Sequence, residues 1–118
     1  MLLEETYERQ KVYTFASSFL KSKNAQSVLD IACGDGEGTN MLAETLACSI
    51  TGLDLSEKLI RHARERVKRH TLRFNVGNAL ETELPDGSFG GIVGFHILEH
   101  FNEKDQVRFL KEVRRILK

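Results

Sequence analysis

The sequence carries no excess charge of either sign. Seventeen lysine and arginine residues balance seventeen aspartate and glutamate residues, so the formal net charge at pH 7 is zero. A neutral chain has no overall field to attract nucleic acid or an anionic membrane. The basic residues of segment 61–69 are interpreted as the solvated face of a helix, and we expect no nucleic-acid or membrane partner.

Long hydrophobic runs are also lacking. The longest apolar stretches, such as residues 92–98, fall far short of the roughly 20 residues needed to cross a bilayer. Residues 1–10, MLLEETYERQ, are too acidic for a secretory signal or a transit peptide. These two features predict a cytoplasmic protein.

Metal-binding patterns are scarce. Cys33 and Cys48 lie in apolar segments without zinc-site spacing, and two thiols make a poor disulfide framework, so both are predicted to be buried and reduced. Residues 96–100, HILEH, have the H-x-x-E-H spacing of a zinc peptidase motif, which requires both histidines on one helical face. Because His96 is predicted to end a strand, we expect no metal site.

Helical and strand patterns alternate along the 118 residues, a length that suits a single domain. Apolar residues spaced by three and four predict helices, and short apolar or alternating runs predict strands. The predicted helices are 4–22, 38–47, 57–67 and 102–117, and the predicted strands are 28–31, 49–54, 72–76 and 90–98. Strands separated by single helices predict an α/β fold with a mainly parallel sheet, helices on both faces and the third strand at an edge.

A glycine-rich turn follows the first predicted strand. Residues 28–40 read VLDIACGDGEGTN, in which three glycines at alternate positions lie among acids. In a parallel sheet, ligands bind beyond the carboxyl ends of the strands, where glycine allows close approach to backbone N–H groups. The spacing misses the G-x-G-x-x-G dinucleotide fingerprint, because its third position falls on Thr39. Asp35 and Glu37 would repel a pyrophosphate, so the turn favours a ligand with positive charge.

Four segments resemble the successive motifs of class I S-adenosylmethionine-dependent methyltransferases, in the same order and at similar distances. They are VLDIACGDG at 28–36, ITGLDLSEKLIRHARER at 50–66, VGNALETELPDGSFGGIV at 76–93 and FHILEHF at 95–101. The upstream RQKVYTFASSFLK is similar to the leading helix of members that act on small molecules or glycans. The resemblance implies an N-terminal helix over 1–25 and an S-adenosylmethionine-binding domain over 26–118. It also implies a Rossmann-like three-layer sandwich with strand order 3-2-1-4.

The family's roles can be carried over position by position for the cofactor's methionine and ribose. The resemblance implies that Asp30 and the turn backbone hold the methionine part, with Asp30 and the backbone meeting its ammonium group. It implies that Asp54 accepts both ribose hydroxyls, which suits a carboxylate because its oxygens take two donors at once. The turn residues assigned to the cofactor are Ala32, Cys33, Gly34 and Gly36.

The adenine and the sulfonium end are assigned in the same way. Leu55 is implied to pack on the adenine, and Asn78 and Ala79 to read its edge. His96 is implied to lie near the sulfonium and the methyl acceptor. Tyr7 and Tyr13 either border the pocket or pack within the helix, the second being the favoured interpretation.

Four features depart from the family pattern. Ala32 stands where glycine is usual, which is tolerable if the local backbone does not need positive φ. Asn78 replaces an aspartate but still offers an acceptor to the adenine amino group, and Gly90 replaces the aspartate before the fourth strand. The family continues through three more strands after residue 118, so the resemblance covers a truncated methyltransferase fold.

Two functions are therefore carried forward. The first is an S-adenosylmethionine-dependent methyltransferase that acts on a small molecule by direct methyl displacement; any general base is undecided among His96, Glu99 and His100. The alternative is a module that binds S-adenosylmethionine or S-adenosylhomocysteine without turnover and is incomplete without a partner chain. Because the fourth strand would form an open sheet edge, we expect a dimer or a partner subunit, unless the chain is a fragment.

Overall fold

A computed structural model describes residues 3–118, so Met1 and Leu2 of the predicted 1–25 segment lie outside the described residues. In chain order the elements are α1 (Leu3–Ser22), β1 (Ser27–Ile31), α2 (Glu37–Thr45), β2 (Ser49–Asp54), α3 (Glu57–Arg66), β3 (Leu72–Val76), β4 (Gly91–Gly94), a 3₁₀ helix (Leu98–His100) and α4 (Glu103–Ile116). Across the described residues, every helix is too short or too polar to traverse a membrane.

The four strands form one parallel sheet in the order β3-β2-β1-β4. Leu29 of β1 pairs with Thr51 of β2 on one side and with Ile92 of β4 on the other. The sheet confirms the predicted α/β fold and strand order, and β3 is an edge strand as predicted. The carboxyl ends of β1 and β2 therefore lie side by side at one edge of the molecule.

Helices cover both faces of the sheet and complete three layers. On one face, α1 and α2 pack on β1 and β2 through a core that includes Leu20, Leu42 and Ile50. On the other face, Leu29 packs in a core with Phe109 of α4. Since successive strand residues point to opposite faces, Val28 belongs to the first core and Leu29 to the second.

The helix starts follow local sequence signals. The hydroxyl of Ser56 accepts the Leu59 N–H at 3.2 Å, and the side-chain oxygen of Asn102 accepts the Asp105 N–H at 2.8 Å. Both residues are N-caps in the extended conformation. These caps fix where α3 and α4 begin.

The fourth strand is shorter than the predicted 90–98. It ends at Gly94, because the chain turns at His96, which has a left-handed backbone with φ of 57°, and then enters the 3₁₀ helix. Within residues 3–118, β4 pairs along its length with β1 alone. Phe89, two residues before the strand, is bridged in parallel fashion to Leu117. The predicted open edge is therefore present in the described part of the chain.

Gly38 in the first turn of α2 is required by packing. A Cβ atom at this position would lie 2.2 Å from the ring of Tyr13, which is buried and cannot move aside freely. We predict that Gly38→Ala lowers the free energy of unfolding by about 1–3 kcal/mol, the usual cost of overpacking, although alanine favours helix. Chemical denaturation measures the change.

Gly90→Ala is the matched control, since its Cβ would meet only ordinary contacts at 3.6 Å or more. Its stability should stay within about 0.5 kcal/mol of the parent chain. Equal stability of the two variants would show that Tyr13 does not need the space at Gly38.

Candidate functional site

A cavity of about 870 Å³ opens beyond the carboxyl end of β1. Its walls come from α1, from the glycine turn between β1 and α2, from α3 and from the turn after β4. The lining residues are Glu8, Arg9, Val12, Tyr13, Ala32, Cys33, Gly34, Asp35, Gly38, Leu59, Phe95 and His96. The position agrees with the rule that ligands of open α/β sheets bind outside the carboxyl ends of the strands.

The glycine turn is attached to β2 by its backbone. The N–H groups of Ala32 and Cys33 both donate to the Leu53 carbonyl, at 2.7 and 3.0 Å. Gly34 has a φ of 59°, and a Cβ built on it would meet no atom within 4 Å, so it presents bare backbone to the cavity. Gly36, with a φ of 83°, is the N-cap of α2 and is packed against Phe74 instead.

Ala32 adopts the left-handed conformation that the family's usual glycine would adopt more easily. Its φ is 64°, so the condition under which alanine would be tolerated without strain is not met. The left-handed region costs an L-residue roughly 1–2 kcal/mol. The two hydrogen bonds from residues 32 and 33 to Leu53 hold the backbone there.

The Asp54 carboxylate joins the turn to the end of β2. Its Oδ2 accepts the Gly34 N–H at 2.9 Å, and its Oδ1 accepts the Ser56 N–H at 2.9 Å. The residue is partly exposed, and each carboxylate oxygen has a second lone pair. Asp54 is thus oriented by two backbone donors and retains acceptor capacity for a further donor.

Asp30 lies beneath the turn and is completely buried. The Tyr13 hydroxyl donates to both of its oxygens, at 2.9 and 3.1 Å, and the Thr39 hydroxyl donates to Oδ2 at 2.8 Å. Burial raises the pKa of Asp30 to about 7, against the lowering effect of the two hydroxyls. Asp30 does not line the cavity, and the predicted direct contact with a cofactor ammonium stays a prediction.

The residues assigned to the adenine lie outside the cavity, on the surface beyond β2 and β3. Leu55 is 72% exposed, and Asn78 is exposed while its Oδ1 accepts the Leu80 N–H at 2.9 Å. Ala79 is half-buried beside them. Asp54 is the link between this surface and the cavity, because it binds Gly34.

His96 was predicted to end a strand, but it lies in the turn beyond β4. Its left-handed φ of 57° is uncommon for a residue other than glycine, and its side chain lines the cavity while remaining exposed. Its Nδ1 is 3.4 Å from Glu99 Oε1, and His100 ends the short 3₁₀ helix. The two histidines therefore do not share a face of one α-helix. Residues 7–118 contain no group of three potential metal-ligating side chains.

Helix α1 contributes to this site: Tyr13, for which helix packing was the favoured interpretation, lines the cavity, as does Arg9, which sequence reasoning missed. Arg9 donates to Glu37 and lies 3.9 Å from Asp35, so α1 is connected to the start of α2 by charge. Tyr13 lies three residues before Ala16 and seven before Leu20, both of which are buried. This helical spacing of apolar residues predicts that the Tyr13 side chain is buried as well. Its hydrogen bond to Asp30, which is 17 positions away, could not be predicted from the neighbouring sequence.

The burial of Asp30 predicts that the free energy of unfolding falls as the pH rises, the reverse of the effect of a carboxylate whose pKa is lowered on folding. The folded protein keeps a proton on this carboxyl up to about pH 7, whereas the unfolded chain releases it near pH 4. The free energy of unfolding should therefore fall as the pH rises from about 4 to 7. Asp30→Asn should flatten this interval in denaturation curves.

Glu65→Gln, which removes an exposed carboxylate on α3, is the control and should keep the parent slope. The difference between the parent and Asp30→Asn is the informative quantity. Parallel curves for these two proteins would contradict the raised pKa of Asp30.

Comparison with known proteins identifies the relatives of this site. A family model described as "Methyltransferase domain" matches residues 28–118. The chain is 34% identical over 105 residues to a demethylmenaquinone methyltransferase of Listeria welshimeri, covering 84% of this chain and 43% of the relative. It is 37% identical over 93 residues to a probable S-adenosylmethionine-dependent methyltransferase of Mycolicibacterium smegmatis, covering 79% and 34%.

A solved structure shares the fold. The PH0226 protein of Pyrococcus horikoshii superposes with a TM-score of 0.79 and 32% identity, covering 94% of this chain and 53% of that one. The chain thus spans about half the length, or less, of the relatives it matches.

Proposed function

We propose a function from the premise that the chain belongs to the class I S-adenosylmethionine-dependent methyltransferases. The proposal is that the crevice beyond β1 and β2 binds S-adenosylmethionine and that the protein transfers the methyl group to a small-molecule acceptor. The observation that carries it is the hydrogen bond from Gly34 N–H to Asp54. That bond brings exposed turn backbone and a carboxylate of the neighbouring strand to one place.

The donor set of the crevice fits the cofactor's charges and hydroxyls. Acidic side chains predominate around it, with Glu8 and Asp35 lining the cavity and Asp54 beside it, whereas Arg9 is the one basic side chain among the cavity-lining residues of the described chain. An acidic environment favours a ligand that carries a cationic sulfonium and an ammonium group. Asp54 retains lone pairs for the two ribose hydroxyls.

The other parts of the cofactor are assigned to residues on either side of Asp54. The backbone of residues 32–36 is proposed to hold the methionine part, and Leu55 with Asn78 and Ala79 to contact the adenine. His96, which lines the cavity, is proposed to lie near the sulfonium. The ten proposed cofactor-binding residues are Asp30, Ala32, Cys33, Gly34, Gly36, Asp54, Leu55, Asn78, Ala79 and His96.

Direct methyl transfer requires mainly that the acceptor be aligned with the methyl group of the cofactor. S-adenosylmethionine supplies an activated methyl group, so the residues around the cavity have to orient the acceptor and exclude water, an effect that can contribute about 7–11 kcal/mol. A hydroxyl acceptor also needs a proton acceptor, and His96, Glu99 and His100 lie together after β4. A relative named as a demethylmenaquinone methyltransferase supports a small-molecule acceptor.

The second candidate is a cofactor-binding module without turnover. It is supported by the open edge that β4 has within the described residues, where another chain could pair. The two candidates agree on cofactor binding and differ in methyl transfer. Calorimetry with S-adenosylmethionine and S-adenosylhomocysteine, followed by a methyl-transfer assay with quinol acceptors, separates them.

Asp54→Ala is expected to weaken S-adenosylmethionine binding by about ten- to a hundredfold, because the ribose loses its charged acceptor. Asp54→Asn, which keeps one carbonyl oxygen, should lie between the parent and Asp54→Ala. Isothermal titration calorimetry measures all three. Glu65→Ala, which removes an exposed carboxylate on α3, serves as the control, and an affinity unchanged by Asp54→Ala would remove the ribose contact.

The open edge of β4 supports a further proposal, that the chain associates with a second copy or a partner chain at this strand. Unpaired N–H and C=O groups on a sheet edge recruit other chains. Light scattering at rising protein concentration should show a dimer. Gly94→Lys, at an exposed edge position, should weaken association, whereas Asn75→Lys on the opposite edge strand should not. A monomer at every concentration would contradict self-association.

A further inference from the structure

Tyr13 is the residue at which three walls of the cavity meet. It extends from α1, and its ring packs edge-on against Phe95 of the turn after β4, with ring centroids 4.8 Å apart. On the glycine turn side, the missing Cβ of Gly38 makes room for the same ring. Its hydroxyl reaches Asp30 at the end of β1. One side chain therefore connects α1, β1, α2 and the β4 turn.

Tyr13 also stands between Asp30 and the cavity. Asp30 has no exposed surface and does not line the cavity, whereas Tyr13 does. The side-chain donors to the carboxylate are two hydroxyls, from Tyr13 and Thr39. The Tyr13 side chain, which lines the cavity, is therefore hydrogen-bonded directly to the buried carboxylate.

We propose that Tyr13 is a positioning residue that couples the docking of α1 and the ionisation of Asp30 to cofactor binding. The proposal rests on the proposed function, because it concerns the same crevice. When Asp30 is ionised, the Tyr13 hydroxyl donates to it and holds α1 over the glycine turn. When Asp30 is protonated, the charge that strengthens this hydrogen bond is lost.

The charged and titratable groups around Asp30 define the direction of the effect. Tyr13 approaches from α1, where Arg9 acts on Tyr13 itself. Thr39 approaches from α2, and Asp54 and Cys33 from β2 and the turn. Burial raises the pKa of Asp30 to about 7, the hydroxyls lower it, and Asp54 raises it. A cationic cofactor favours the ionised form, so its affinity should rise as the pH passes through 7, and by linkage its binding should release a proton.

The test is Tyr13→Phe, which keeps the ring and removes the hydroxyl. Calorimetry with S-adenosylmethionine from pH 5.5 to 8.5 is run on the parent and the variant alike, so that titration of the ligand's own amine within this range is common to both. At pH 7 the variant should bind about tenfold more weakly, the size expected for a hydrogen bond to a charged group. The pH midpoint of its affinity should move upward, because the anion of Asp30 has lost a donor.

Tyr7→Phe is the matched control, since Tyr7 lies on the same helix and is 60% exposed. Its affinity and pH midpoint should equal those of the parent chain. In an Asp30→Asn background, the pH step should disappear and Tyr13→Phe should have little further effect, as a double-mutant cycle requires for coupled residues.

A Tyr13→Phe variant with weaker binding but an unchanged pH midpoint would show that Tyr13 acts only through packing, and the inference would be overturned. The same holds if the variant binds like the parent. Failure of the parent chain to bind S-adenosylmethionine at any pH would instead overturn the proposed function. Amide hydrogen exchange in α1 without ligand tests the helix docking by itself, since exchange should quicken in Tyr13→Phe and not in Tyr7→Phe.

Discussion

The site depends on the attachment of the glycine turn to β2. Three consecutive N–H groups, from Ala32, Cys33 and Gly34, donate to the Leu53 carbonyl and to the Asp54 carboxylate. These bonds keep an alanine in a left-handed conformation and leave Gly34 facing the cavity. Without them the turn would relax, and its backbone would no longer be held beside the Asp54 carboxylate.

Two carboxylates at neighbouring strand ends have different surroundings. Asp54 is partly exposed and held by two backbone donors, which leaves acceptor capacity for a further donor. Asp30 is fully buried, bound by hydroxyls, and has a raised pKa. Burial therefore separates a carboxylate suited to ligand contact from one suited to sensing protonation, although both end parallel strands of the same sheet.

The open side of the molecule lies at β4. Its strand pairs with β1 on one side, and large apolar side chains of α4, Val107 and Leu110, are more than half exposed. The chain spans about half the length, or less, of its relatives. The proposed association with another chain would use the unpaired backbone groups of this edge.

The sequence by itself determined the order of helices and strands, the caps at Ser56 and Asn102, and the place of the glycine turn, because each depends on residues within a few positions of one another. Only the tertiary structure decided that Tyr13 binds Asp30, that Gly38 makes room for that ring, and that β4 stops at Gly94. Those contacts join residues distant in the chain or depend on backbone strain at His96. Packing selects such contacts, and no periodicity in the sequence records them.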